Sequence, residues 1–156
     1  MTILTTHVGS LPRPKIVSDL LFQREKGEEY SLNDFEKIIS ESVEEVVKKQ
    51  LDIGIDIISD GEMSKISYAT YVKDRYNGFA GDSERNPPQD LEQFPGYMKK
   101  IAESGGTPSY SRPCCVSEIT SKKNNDLTND IKNLLNASRK LNHENIFMNA
   151  ASPGVI

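Results

Sequence analysis

The chain predicts an α/β fold with parallel strands, on three observations. First, Gly54 to Glu62 reads as a short buried strand, Ile55 to Ile58, ending in the polar turn Asp60-Gly61-Glu62. Second, a long amphipathic helix runs directly into that strand, and helix followed by β-branched strand is one unit of an α/β protein. Third, both ends of the chain repeat strand-then-turn: Ile3 to Thr6 before Val8-Gly9-Ser10, and Ile146 to Asn149 before Ser152-Pro153-Gly154. In such folds ligands bind at the carboxyl ends of the strands. The three turns are therefore expected to converge on one site.

The elements follow in order. Ile3 to Thr6 is a strand by β-branched content. Its exit carries Gly9, which admits backbone conformations closed to other residues, and Pro12 and Pro14, which stop the strand. Lys15 to Lys26 is a helix with Ile16, Leu20 and Leu21 on one side, and Gly27 suits its end. Ser31 to Asp52 is the longest helix. Ser31 caps it, with Asp34 three residues on. Phe35, Ile38, Ile39, Val43, Val46, Val47 and Leu51 form one apolar stripe. Glu44 to Lys48 and Glu45 to Lys49 are favourable pairs on its solvated face.

Ser64 to Gly81 holds Tyr68, Tyr71, Tyr76 and Phe79. These rings can line a pocket for a flat ligand; the preferred reading is that they pack a loop or short helix onto the rim. Asp82 to Gln89 is an exposed loop, and Leu91 to Glu103 a helix broken at Pro95-Gly96. Pro113 to Ile119 is a third strand. Cys114 and Cys115 face opposite ways on it, read best as buried thiols acting as small hydrophobes, and make poor joint ligands for a metal. Thr128 to Leu141 is a helix with Ile131, Leu134, Leu135 and Leu141 on one face. Ile146 to Asn149 is the fourth strand.

A length of 156 residues allows one domain, and the net charge of -4 argues against nucleic acid as a partner. No apolar run approaches the roughly 20 residues of a membrane span. The first residues lack the pattern of a signal peptide, so a cytoplasmic location is expected. Four strands joined by crossovers make half of an eight-stranded barrel. The periodicities leave open whether this is a small open domain or the first half of a longer protein.

Four segments together resemble the catalytic barrel of the cobalamin-independent methionine synthase family. They are Thr5 to Pro14, Asp56 to Glu62, the Pro113 to Ile119 strand, and Ala151 to Gly154. The resemblance is to the shorter, single-barrel relatives, within a superfamily shared with uroporphyrinogen decarboxylase. It implies the first half, about four βα units, of a TIM-type (β/α)8 barrel spanning residues 1–156. It also implies a methyltransferase moving a methyl group from a methyl-folate to the thiol of homocysteine, in methionine biosynthesis. Val8, Gly9 and Ser10 match the turn that holds the amino-acid end of homocysteine, and Glu62 the carboxylate that receives its ammonium. His7, Asp60, Arg112 and Glu118 are further candidates, Arg112 lying near the family's folate contacts.

In the family a zinc ion binds the thiol and lowers its pKa. Its ligands, one His, two Cys and usually a Glu, come from later strands. None of His7, His143, Cys114 and Cys115 matches them, so no catalytic or metal-ligating residue is assigned here. The isolated chain is expected to hold no zinc and to be inactive alone. The alternatives are a non-catalytic half-barrel subunit that needs a partner chain or self-associates, and transfer to another thiol such as coenzyme M.

Overall fold

The structure is a computed structural model that describes residues 3–82, 89–103 and 113–152. Arg112, Pro153 and Gly154 lie outside the described residues. Three helices carry the core. α1 (Lys15–Lys26) ends at Gly27, whose φ of 69° lets its N–H reach back to the Arg24 carbonyl while Glu28 bonds that of Gln23. α2 (Leu32–Asp52) starts where the Ser31 hydroxyl accepts the Asp34 N–H at 3.3 Å, as its sequence predicts. α6 (Asp126–Lys140) begins two residues before the expected Thr128.

The apolar stripe of α2 is the spine of the core. Phe35, Ile39, Val43, Val46 and Val47 are buried, packed with Val17 and Leu21 of α1, Leu134 and Ala137 of α6, and Ile58 and Met63. Ile38 and Leu51 pack at its margin. On the polar face Glu45 pairs with Lys49 at 2.7 Å as expected. Glu44 instead reaches Lys140 of α6 at 2.6 Å, and Lys48 takes Asp52.

Three segments pair in parallel beneath these helices. Thr6 bridges Ile57, and Ile58 bridges Ile146, so the central segment lies between the first and the last. The Ile57 N–H donates to Thr5, and the Phe147 N–H donates to Ile58. Side chains reinforce the pairing: the Asp56 carboxylate accepts both the N–H and the hydroxyl of Thr5 at 2.8 Å. Buried Gln50 of α2 clasps Ser59, donating to its carbonyl at 2.8 Å and accepting its N–H at 3.0 Å. That clasp fixes where the central segment ends and the turn begins.

The expectation of four parallel strands is corrected here. β2 (Cys114–Ser121) pairs antiparallel with β1 (Tyr76–Ala80), which follows α3 (Tyr68–Arg75) directly. Every residue of β2 is exposed, whereas a parallel barrel strand is covered on both faces. The register slips between Asn77 and Phe79. At the slip Gly78 has a φ of 94°, and a Cβ there would meet the Glu118 carbonyl at 2.7 Å. Cys114 and Cys115 are exposed rather than buried, because the ladder that carries them stands away from the core.

Two smaller corrections concern helices. The Leu91 to Glu103 stretch is two helices, α4 (Gln89–Glu92) and α5 (Pro95–Glu103). Pro95 opens the second rather than interrupting one, since the first helical position needs no N–H donor. Ile131, expected on the buried face of α6, is 43 % exposed. Among the described residues no helix is long and apolar enough to cross a membrane.

Candidate functional site

The turn after the central segment is held in an unusual backbone. Gly61 and Glu62 both have positive φ, 59° and 54°. The left-handed conformation costs a non-glycine residue about 1–2 kcal/mol, so Glu62 must be held there. Three contacts do so. The Asp60 carboxylate accepts the Glu62 N–H at 3.1 Å. The Arg13 guanidinium donates to the Glu62 carbonyl at 2.9 and 3.2 Å, and also to the Lys65 carbonyl. The Leu11 N–H donates to the Gly61 carbonyl at 3.0 Å, tying the first turn to the second.

This geometry turns the Glu62 side chain into the interior, 6 % exposed. The Ser10 hydroxyl donates to its Oε2 at 2.5 Å. The Tyr68 hydroxyl and the Asn149 amide both donate to Oε1. Thus Ser10 of the first predicted turn and Glu62 of the second meet, joined by Asn149 from the end of the last segment, while Pro153 and Gly154 of the third turn lie outside the described residues. Burial pushes the Glu62 carboxyl up, but the hydrogen bonds from Ser10, Tyr68 and Asn149 outweigh it and hold the group below the usual range. The Tyr68 phenol is pushed up to about 12 by burial and by donating to that carboxylate. For Arg13, burial outweighs the attraction of Glu62 and Asp60 and lowers its value.

A second buried cluster supports the turn. Lys65, 4 % exposed, donates to Asp60 Oδ2 at 2.9 Å and lies 3.6 Å from Asp130 of α6. The Tyr71 hydroxyl donates to Asp130 at 2.6 Å. Both Asp60 oxygens are thus engaged: one holds Glu62, the other Lys65.

The remaining expected residues fall out as follows. Val8 is 63 % exposed and Gly9 has a φ of 96°. Among the described residues the N–H groups of Val8, Gly9 and Ser10 have no hydrogen-bond acceptor. His7 folds onto its own turn, its ring bonded to the Gly9 carbonyl at 3.1 Å. His143 bonds the Asp56 carbonyl at 3.0 Å, at the start of the central segment and so at the end away from the turns. Glu118 sits exposed on β2 and has no bond to the Glu62 cluster. Among the described residues no group of three His, Cys, Asp or Glu could hold a metal ion.

Sequence reasoning missed Arg13, Lys65, Tyr68 and Asn149 as partners of Glu62. Arg13 between two prolines and Asn149 at a strand end carried a positional signal; Tyr68 was legible only as one of four clustered rings, and Lys65 carried no signal. Beside the cluster opens a cleft of about 710 Å³, and Tyr68 and Asn149 line both. Tyr71, Tyr76 and Phe79 line it too, so the four rings face a pocket rather than only packing the rim.

Residues 3–86, more than half of the chain, match the family model described as the catalytic domain of cobalamin-independent synthase. A methionine synthase of Sulfolobus acidocaldarius is 28% identical over 133 residues, 85% of this chain and 37% of the relative. The 5-methyltetrahydropteroyltriglutamate–homocysteine methyltransferases of Saccharomyces cerevisiae and Thermotoga petrophila are 32% and 30% identical over 78 and 76 residues, 49% of this chain. The chain thus spans little more than a third of the first relative and 10% of the other two. With the buried glutamate turn set beside the matched residues, the conclusion is plain: the chain belongs to the cobalamin-independent synthase catalytic-domain family.

Proposed function

We propose that this chain supplies the amino-acid-binding part of a methyltransferase barrel that moves a methyl group from a methyl-folate to a homocysteine-like thiol. The observation that carries the reading is the acceptor pair beside Tyr68. An ionised carboxylate has about four acceptor positions, and Glu62 receives three donors. Among the described residues the neighbouring Asn149 Oδ1 is buried without a hydrogen-bond partner, its amide nitrogen being committed to Glu62 and Tyr68. A buried acceptor without a donor is costly. An ammonium group brings three donors and a charge that suits Glu62.

The backbone N–H groups of Val8, Gly9 and Ser10 suit the carboxylate of the same amino acid. With both ends held, the thiol would extend toward the aromatic cleft, where the donor would lie. The sulfur takes the methyl group, and the folate nitrogen keeps the electron pair of the broken bond. Resemblance to the family brings zinc as the ion that makes the thiolate. The described residues do not offer its ligand set, so thiol activation is assigned to residues outside them. Ile3, 90 % exposed, and Ile53, 77 % exposed, favour an interface with further barrel or with a second chain.

Calorimetry with homocysteine and with 4-mercaptobutyrate, which lacks the ammonium, tests the reading. Wild type is expected to prefer homocysteine by at least tenfold, and Glu62→Gln to lose that preference, as expected for a charge-assisted bond of about 1.5–3 kcal/mol. An equal preference in both proteins would overturn it. Coenzyme M also lacks an ammonium; tight binding of it that ignores Glu62→Gln would favour the other-thiol alternative.

A further inference from the structure

We infer that Arg75 makes the aromatic cleft selective for a planar ligand carrying an anionic group. The inference rests on the proposed methyl-donor role of the cleft only for the ligand's identity, not for its charge. Most cations near the site are already engaged. Arg13 holds backbone carbonyls, Arg24 pairs with Asp126 at 2.6 Å, Lys65 with Asp60, and Lys73 with Glu25 at 2.8 Å. Arg75 differs: among the described residues its guanidinium meets no carboxylate and makes no hydrogen bond. This occurs in a chain with 23 acidic and 19 basic residues, where a carboxylate partner is easily found.

The guanidinium is nonetheless fixed. Its carbon lies 4.9 Å from the centre of the Tyr71 ring and 5.5 Å from that of Tyr76. Stacking on two rings orients the planar cation and leaves its edge donors for a ligand. The backbone is fixed too, since the Arg75 carbonyl accepts the Lys122 N–H at 2.8 Å across the hairpin end. Apolar residues Val72, Phe79, Ile119 and Met148 line the same cleft. Apolar walls weaken the screening of a charge, so one half-buried cation discriminates strongly between a neutral and an anionic occupant.

The position of Arg75 sets a length as well. It ends α3, seven residues after Tyr68, which is about 10 Å of helix rise. A ligand whose reactive end lies at Tyr68 and Asn149 would therefore extend along α3 to bring its anionic group to Arg75. If the donor reading holds, that group belongs to the acidic tail of a pteroylglutamate.

Two naphthalene probes test the charge preference without any donor. 8-Anilinonaphthalene-1-sulfonate carries a sulfonate, and N-phenyl-1-naphthylamine has the same rings without it. Fluorescence titration of the wild-type chain is expected to show at least tenfold tighter binding of the anionic probe. Arg75→Gln should bring the two within twofold with neutral-probe affinity unchanged, and Arg75→Lys should restore part of the preference. Equal binding of the probes by wild type, or a preference that survives Arg75→Gln, would overturn the inference. Competition then separates the two readings. Displacement of the anionic probe by 5-methyltetrahydropteroyltriglutamate from wild type supports the donor as occupant. Failure to displace, with the preference still dependent on Arg75, leaves the inference standing and removes the donor reading.

Discussion

The three-helix arc and the α3–hairpin region are built on different physics. The arc buries a helical stripe against three parallel segments, and its stability comes from apolar area removed from water. The hairpin exposes all of β2 and is held by its ladder and by bonds such as Lys122 to the Lys73 carbonyl at 2.8 Å. The site forms at their seam. Glu62 belongs to the arc and Tyr68 to α3, and the Tyr71–Asp130 bond crosses from α3 to α6 beside buried Lys65. The arc therefore supplies the buried carboxylate, and both regions supply walls of the cleft.

The largest expected effect comes from breaking the seam. Lys65→Met strands two buried carboxylates, Asp60 and Asp130, and breaking a buried pair costs about 3–5 kcal/mol. Urea unfolding should show that loss, and Lys65→Met combined with Asp130→Asn should recover part of it. A loss below about 1 kcal/mol, the range of exposed pairs, would mean the cluster is solvated and the seam is not a unit.

Next comes the contrast between the two regions themselves. Leu134, 2 % exposed in α6, should cost about 2–5 kcal/mol on truncation to alanine. Ile119, 53 % exposed on β2, should stay within about 0.5 kcal/mol on the same change. Comparable losses at the two positions would show that the hairpin is packed against something in solution and erase the distinction.

The same contrast explains what the sequence could reveal. The arc's helices were legible because each is a local pattern: the α2 stripe, the Ser31 cap and Gly27 all lie within one element. The first two turns were legible as strand ends, and their meeting was foreseen. The antiparallel pair was not legible, because Tyr76–Ala80 pairs with residues 34 to 45 positions later and shows no alternation of its own. Cys114-Cys115-Val116 looks like a buried strand by composition, and only its antiparallel partner shows otherwise. Ile131 follows helical spacing but faces the cleft, since α6 borders both regions. The Glu62 partners were hidden for a similar reason: Tyr68 and Asn149 lie 81 positions apart and meet only in three dimensions.

An acid titration sharpens the comparison from the site's side. The Glu62 carboxyl sits below its ordinary value in the folded protein, so in acid the unfolded state binds more protons than the folded one. Its contribution is complete above the ordinary glutamate value, about 4.3, and is lost as pH falls through the lower folded value. Glu62→Gln should therefore flatten the fall of stability in that window and leave the slope near neutrality unchanged. Parallel acid curves for the two proteins would mean that Ser10, Tyr68 and Asn149 do not hold the ionised form.

The smallest expected effect concerns the two thiols. Both are exposed on β2, and their Cα partners across the ladder are Ala80 and Phe79. Cys115 lines the cleft, and its thiol lies 3.6 Å from the Ser117 carbonyl, a weak bond. A residue that removes little apolar area from water contributes little on burial. Cys114→Ser and Cys115→Ser should each change stability by less than about 0.5 kcal/mol. Both thiols should react with an aromatic disulfide reagent in the native protein without prior unfolding. The aromatic probe of the cleft should then slow the reaction of Cys115 and leave Cys114 unaffected, because only Cys115 lines that wall. Protection of both thiols without any ligand would place β2 in a buried layer and return the hairpin to the arc's kind of packing.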